Sequence, residues 1–227
     1  MFEQNAIQHH IQRHIIGVLL HTKYARFSEL RPPKVDTNLF TYHLKVLMKQ
    51  DWVKKTDYGY TLTKNGLIYV DRVSESRKTL RTQPKIITML VVQNSEGDIL
   101  LQKRRKQPFT GTWTLPYGKI HNEDVSAQAA AQREVFEKIG IENQEVEHAG
   151  DCYIRVHTDW ELLSTTLAHV FRFYKDDVVL SDRLMWARPH KLDELPLAPA
   201  VNEVMTRTFF KDAFYFEEFN IDWKILD

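Results

Sequence analysis

The stretch from Gly118 to Ile141 constrains this chain more than any other. It reads Gly118-Lys-Ile-His-Asn-Glu-Asp-Val-Ser-Ala-Gln-Ala-Ala-Ala-Gln-Arg133-Glu134-Val-Phe-Glu137-Lys138-Ile-Gly140-Ile141. A glycine-bearing loop leads into a helix over roughly Ser126–Ile139, and Gly140 is suited to the position just past a helix end. Glu134, Glu137 and Lys138 are spaced i, i+3 and i+4, so all three lie on one helical face. Glu134 and Lys138 stand in the favoured order for a helical ion pair, glutamate first.

Composition places that helix in a larger frame. A chain of 227 residues fits one large domain or two small ones. An apolar share of 43% supports packed cores and argues against disorder. One cysteine, Cys152, excludes an intrachain disulfide and fits a reducing cytosol, so a cytoplasmic location is expected. No apolar run is long enough to span a membrane, and the first residues lack the pattern of a signal peptide. The net charge of +1 hides a split. Residues 1–84 carry 14 Lys/Arg against 7 Asp/Glu, and residues 85–227 carry 17 against 23. A basic part and an acidic part predict two domains with different partners, the first a polyanion.

The basic part alternates helical and extended patterns. Residues 4–21 keep Ile7, Ile11, Ile15, Val18 and Leu19 at helical spacing. A short helix follows at Phe27–Leu30, stopped by Pro32-Pro33. Asp36 or Thr37 caps a third helix reaching about Gln50, with Phe40, Leu44, Leu47 and Met48 inward. His43 suits either the polar face or the core. Trp52–Lys55 and Tyr60–Leu62 read as a hairpin around Gly59. Thr63 caps a last helix over 64–76. His10 and His14 are an i, i+4 pair, but no third ligand is spaced to close a metal site.

This order, over residues 7–75, resembles bacterial and archaeal winged helix-turn-helix regulators. The resemblance rests on Phe27-Ser-Glu-Leu, Asn38-Leu-Phe-Thr-Tyr-His-Leu-Lys-Val-Leu, Trp52-Val-Lys-Lys and Tyr60-Thr-Leu-Thr-Lys-Asn-Gly66. It implies DNA binding, with Asn38, Thr41, Tyr42 and Lys45 toward bases and Lys54 and Lys55 toward phosphates. Winged helices also serve as protein-interaction or dimerisation modules. A homodimer is expected for reading paired half-sites. The first domain spans 1–78, a linker 79–85 and the second domain 86–227.

The second part reads as strands around helices: Ile86–Val92, a strand from Ile99, Trp113–Pro116, the helix, strands near 149–156, 163–173 and 184–187, and a helix near 200–209 that finishes the core. This predicts an α/β sandwich. Its motifs are Leu100-Leu-Gln-Lys-Arg-Arg105, Gly111-Thr-Trp-Thr-Leu-Pro116-Tyr-Gly118-Lys119, Arg133-Glu134-Val-Phe-Glu137-Lys138-Ile-Gly140-Ile141, and Trp186 with Leu195-Pro-Leu-Ala-Pro199. They resemble the Nudix superfamily, whose box is G-x5-E-x7-R-E-U-x-E-E-x-G-U, U being aliphatic. The expected fold is thus a winged helix-turn-helix followed by a Nudix sandwich, a mixed sheet flanked by helices.

The resemblance implies Mg²⁺ held by glutamates, because diphosphate hydrolysis needs a hard cation and hard cations take oxygen ligands. Carried over, Glu134 and Glu137 are catalytic, and Glu134, Glu137, Asp124 and Glu123 bind metal. Arg104, Arg105, Gly118, Lys119 and Lys138 bind ligand, and Arg133 ties the loop to the helix. Of the nearby aromatics Phe109, Trp113, Tyr117 and Trp160, one could stack on a base. Asp159 and Glu161 are minor candidates for a late acidic ligand.

The chain departs from the pattern twice. Gly118 to Arg133 is one residue too long, which a loop absorbs. Lys138 replaces a glutamate, removing a ligand and adding a cation where a metal would lie. The expectation is a regulator whose Nudix domain binds a nucleoside-diphosphate-type metabolite with weak or absent Mg²⁺ binding and hydrolysis. The alternative is a Mg²⁺-dependent hydrolase with the winged helix as accessory.

Overall fold

A computed structural model describes residues 7, 9–72, 83–210 and 213–224. The chain forms two compact units, Met1–Thr82 and Gln83–Asp227. Of the linker expected over 79–85, residues 79–82 lie outside the described residues, and strand structure has begun by Lys85. The helix expected over 64–76 is described only as far as Arg72. No described helix is long and apolar enough to cross a membrane.

The first unit runs α1 (His10–His21), α2 (Phe27–Leu30), α3 (Thr37–Lys49), β1 (Val53–Thr56), β2 (Gly59–Leu62) and α4 (Lys64–Arg72). That is the winged-helix order. Of the helix expected over 4–21, residues 4–6 and 8 lie outside the described residues; α1 is described from His10, with His9 as its N-cap, whose ring Nδ1 accepts from the Ile11 N–H. Asp36 caps α3 by accepting from the N–H groups of Asn38 and Leu39 at 2.8 and 3.1 Å. The core joins Ile11, Ile15, Ile16 and Leu19 to Phe40, Leu44 and Leu47, with Trp52 and Val53 beneath.

One inward position of α3 differs from expectation, and one that the sequence leaves open falls in the core. Met48 is 38% exposed, whereas His43 is buried and stacked on the His9 ring at 3.7 Å. The helical repeat carries position 48 past the buried stripe and turns position 43 into it. Burial, helped by the neighbouring His9 and His10, holds the His43 imidazole below its ordinary range.

β1 and β2 form an antiparallel ribbon with Thr56 opposite Gly59. A third segment joins it through Ala25 and Tyr60, which exchange backbone hydrogen bonds. Gly59 has φ +124°, and a Cβ there would meet the Ala25 carbonyl oxygen at 2.6 Å. Only glycine satisfies both the turn and that close approach.

The second unit is a sandwich built on an eight-stranded sheet. Its elements are β3 (Lys85–Gln93), β4 (Ile99–Lys103), β5 (Trp113–Thr114), β6 (Tyr117–Lys119), α5 (Ala127–Ile139), β7 (Glu147–Thr158), β8 (Glu161–Tyr174), β9 (Leu184–Ala187), α6 (Val201–Phe210) and β10 (Tyr215–Asp222). The main order is β10-β7-β8-β3-β4-β5, with β6 on β3 and β9 on β4. β3–β8 and β7–β10 are parallel and the other pairs antiparallel, so the sheet is mixed.

The continuous apolar run of β3 follows from burial on both faces. Ile87, Met89 and Val91 share one core with Val201, Val204 and Met205 of α6. Leu90 and Val92 share another with Ala131, Val135 and Ile139 of α5. One expectation is corrected here. The helix near 200–209 does not finish the sandwich, because β10 follows it and adds an edge strand to β7. Tyr215 of β10 is buried, with Phe219 and Ile221 packed behind it.

Candidate functional site

α5 begins where the Ser126 hydroxyl accepts from the Ala129 N–H and ends at Gly140, φ +80°. Its polar face meets β6 through Gly118. A Cβ on Gly118 would lie 1.7 Å from the Glu134 carboxyl carbon, so this glycine is required for space. With the hydrogen in that place, Glu134 reaches the strand and its side chain is only 4% exposed.

Arg133 organises the surrounding charges. Its Nε donates to Asp124 Oδ1 at 2.9 Å, and a terminal nitrogen donates to Asp124 Oδ2 at 2.8 Å. That nitrogen also donates to the Lys119 carbonyl at 3.0 Å. The other terminal nitrogen reaches Glu134 Oε1 at 2.6 Å and Glu137 Oε1 at 3.3 Å. These charge-assisted bonds tie the loop, β6 and α5 together. They hold the Asp124 carboxyl at about 2, chiefly through the Arg133 hydrogen bonds and then the His121 backbone N–H. The same bonds, Asp124 foremost, push the Arg133 guanidinium above its ordinary range.

Lys138 stands on the far side of Glu134, its Nζ 3.5 Å from Oε2. Glu134 is therefore flanked by a cation at each oxygen. Oε2 nonetheless has no hydrogen-bond partner, although it is buried.

The four carboxylates expected to hold metal separate in the structure. Glu134 and Glu137 line the cleft beside α5. Both oxygens of Asp124 are taken by Arg133 and His121, and Glu123 is exposed on the loop. Among the described residues, these side chains do not bring three ligand atoms within 4.8 Å of one another. Mg²⁺ demands near-octahedral oxygen coordination. The uncommitted Glu134 oxygen suits a cation, but Lys138 already faces it, so the donor set does not fit a tightly held ion.

The cleft itself, about 520 Å³, is cationic. Lys103, Arg104, Arg105, Lys106, Lys119, Lys138 and Arg183 line it, against Glu134 and Glu137. Arg104 is braced: it donates to the Tyr117 hydroxyl and lies over the Phe109 and Tyr117 rings at 5.3 Å. Arg105 pairs with Asp182 at 2.7 Å on the exposed rim. The Lys85 ammonium is lowered by partial desolvation, then by Arg104 and Lys119.

Gly118, Lys119, Arg104, Arg105 and Lys138 thus all border one space, as do Gln102, Thr114 and His121. Of the aromatic candidates only Tyr117 lines it; Phe109 is core and Trp160 is 95% exposed at the β7–β8 turn. Lys103 could have been singled out from the Gln-Lys-Arg-Arg run. Arg183 carries no local signal, because β4–β9 pairing brings its neighbourhood to the cleft.

In the first unit Asn38, Tyr42, Lys45, Lys54 and Lys55 are exposed. Thr41 is half-buried and its hydroxyl donates to the Thr37 carbonyl within the helix. The basic and polar side of α3 thus faces away from the core formed by Phe40, Leu44 and Leu47.

Two substitutions test the clamp. Gly118→Ala places carbon inside the Glu134 carboxylate and is expected to cost about 2 kcal/mol or more in urea unfolding. The Asp124–Arg133 bonds contribute stability that is fully present above the unfolded carboxyl range near 4. That stability is lost as pH falls toward 2, because the folded carboxyl is depressed to about 2. The loss between pH 5 and 2 is expected to reach about 2 kcal/mol and to be smaller by that amount in Asp124→Asn, read by urea melts across that range.

A family model described as NUDIX domain matches residues 83–209. Among solved structures, the chain is similar to a mutator MutT protein from Bacillus halodurans, at 20% identity over 60% of this chain and 89% of that one, TM-score 0.49. It is similar to the NUDIX domain of Shewanella oneidensis NrtR, solved as a cocrystal with ADP ribose, at 16% identity over 65% and 97%, TM-score 0.47. It is also similar to a MutT protein from Methanosarcina mazei Go1, at 26% identity over 59% and 100%, TM-score 0.45. Likeness at these scores transfers neither ligand nor activity. The family match covers more than half of the chain, and with the box helix, its clamp and the sandwich around it, the chain belongs to the NUDIX domain family.

Proposed function

We propose that this chain is a Nudix-family transcriptional regulator. Its Nudix domain binds a nucleoside-diphosphate-type metabolite with little or no hydrolysis, and its winged helix binds DNA. One observation carries the ligand half of this reading. Glu134, the buried carboxylate of the box, is neutralised from both sides by Arg133 and Lys138. It lies in a cleft where seven Lys and Arg side chains outnumber two carboxylates. Such a site attracts a polyanion directly, through charge-assisted bonds to phosphate oxygens. It offers a divalent ion a poor welcome, because Lys138 already stands at the one free oxygen.

The DNA half is supported by the basic balance of residues 1–84 and by exposed Lys45, Lys54 and Lys55. Asn38, Thr41, Tyr42 and Lys45 are the base-side candidates, and Lys54 and Lys55 the phosphate-side ones. A homodimer would match paired half-sites.

The second reading is a Mg²⁺-dependent hydrolase. Glu134, whose Oε2 accepts no hydrogen bond, and the 45% exposed Glu137 favour it, since both residues line the cleft.

Turnover separates the two. With nucleoside diphosphate compounds and Mg²⁺, the wild type is expected to run well below about 1 s⁻¹. Lys138→Glu, which restores the box carboxylate, is expected to raise Mg²⁺-dependent release by about tenfold or more. Wild-type turnover near 1 s⁻¹ or above would establish the hydrolase instead. In electrophoretic assays on the DNA upstream of its own gene, affinity is expected to fall steeply with salt and to change when nucleotide is added. Lys45→Ala and Lys54→Ala are each expected to weaken binding about tenfold, and unchanged binding in both would remove this DNA surface.

A further inference from the structure

A second group of ligand-type side chains lies on the same unit, apart from the cleft. His148 and Asp151 belong to β7 and His169 to β8. Asp151 stands directly opposite His169 in the antiparallel register. Residues three apart on a regular strand point to opposite faces. A register shift between His148 and Gly150 breaks that alternation. The bulge turns His148 onto the face of Asp151, which is how such irregularities re-aim side chains.

The result is convergent. His148 Nε2 and His169 Nδ1 each lie 2.8 Å from Asp151 Oδ1. Among the described residues this is the one set of three His, Cys, Asp or Glu side chains whose ligand atoms all fall within 4.8 Å. The His148 ring has two aromatic neighbours. His148 stacks on Phe171 at 4.7 Å and meets the edge of Phe214 at 5.2 Å. All three residues keep partial access to solvent.

We infer that His148, Asp151 and His169 form a binding site for a divalent transition metal of the Zn²⁺ class. Two imidazoles and one carboxylate are the donor set that borderline cations prefer over Mg²⁺. Metal bonds of about 2 Å leave neighbouring ligand atoms roughly 3 Å apart, close to the present separations. Three protein ligands leave a fourth position for water or a ligand group. A metal-bound imidazole is usually oriented by a hydrogen bond from its other nitrogen. Thr88 pairs with His169 across β3–β8, and its buried hydroxyl has no hydrogen-bond partner. It supplies an unused acceptor beside the site.

The site is separate from the α5 carboxylates. Thr88 pairs with Gly118 on its other side, so His169 is two strands from Gly118, about 10 Å at ordinary strand spacing.

Titration of the full metal-free chain with Co²⁺, followed by competition with Zn²⁺, tests this. Wild type is expected to take up one Co²⁺ per chain at this site, with the strong visible absorption of a four-coordinate ion, and to release it to Zn²⁺. His148→Ala, Asp151→Asn and His169→Gln are each expected to weaken binding about 100-fold, while Glu134→Gln keeps the spectrum. Far-ultraviolet dichroism checks that each variant is folded. The absence of saturable binding in wild type would overturn the site and leave a hydrogen-bonded triad. Retention of the signal in the His148→Ala/His169→Gln double variant would overturn it too.

Discussion

The guanidinium of Arg133 is the interaction on which the box depends. Five hydrogen bonds run from it to two oxygens of Asp124, the Lys119 carbonyl, Glu134 and Glu137. It thereby fixes the loop before α5, the strand before that loop and the face of the helix as one body. A buried carboxylate such as Glu134 is costly unless its charge is met. Arg133 meets one oxygen and Lys138 approaches the other. The oxygen facing Lys138 is left without a hydrogen bond.

The same charges explain why the two units read so differently. The second unit is acidic as a whole, yet seven of its 17 Lys and Arg residues line one cleft. Average charge said nothing about that local reversal. In the first unit Lys45 and Lys49 of α3 and Lys54 and Lys55 of β1 are exposed, outside the apolar core.

Legibility followed the range of the interactions. α5 was readable because its signals are local: Ser126 at one end, Gly140 at the other, and carboxylates three and four residues apart. α3 was readable for the same reason, except that Met48 turned outward, and His43, open in the sequence, was placed in the core with its ring on His9. β6 and β10 were not readable. β6 has three residues and exists because β3 offers it partners. β10 interleaves aromatics with Glu217, Glu218 and Asp222, and only pairing with β7 makes it a strand. Arg183 in the cleft, and the bulge that joins His148 to Asp151, depend on contacts between distant segments and leave no local trace in the sequence.

β10 also has a protective role. It lies beyond residue 209, where the family match ends, and it covers the outer side of β7 along eight paired residues. Stripped of it, β7 would present a long row of open backbone donors and acceptors, a template for any passing strand. β10 is a safer border, since its own acidic side chains repel a neighbour laid alongside. This terminal ribbon therefore works as a selvage, the woven margin that keeps the cloth from joining to the next piece.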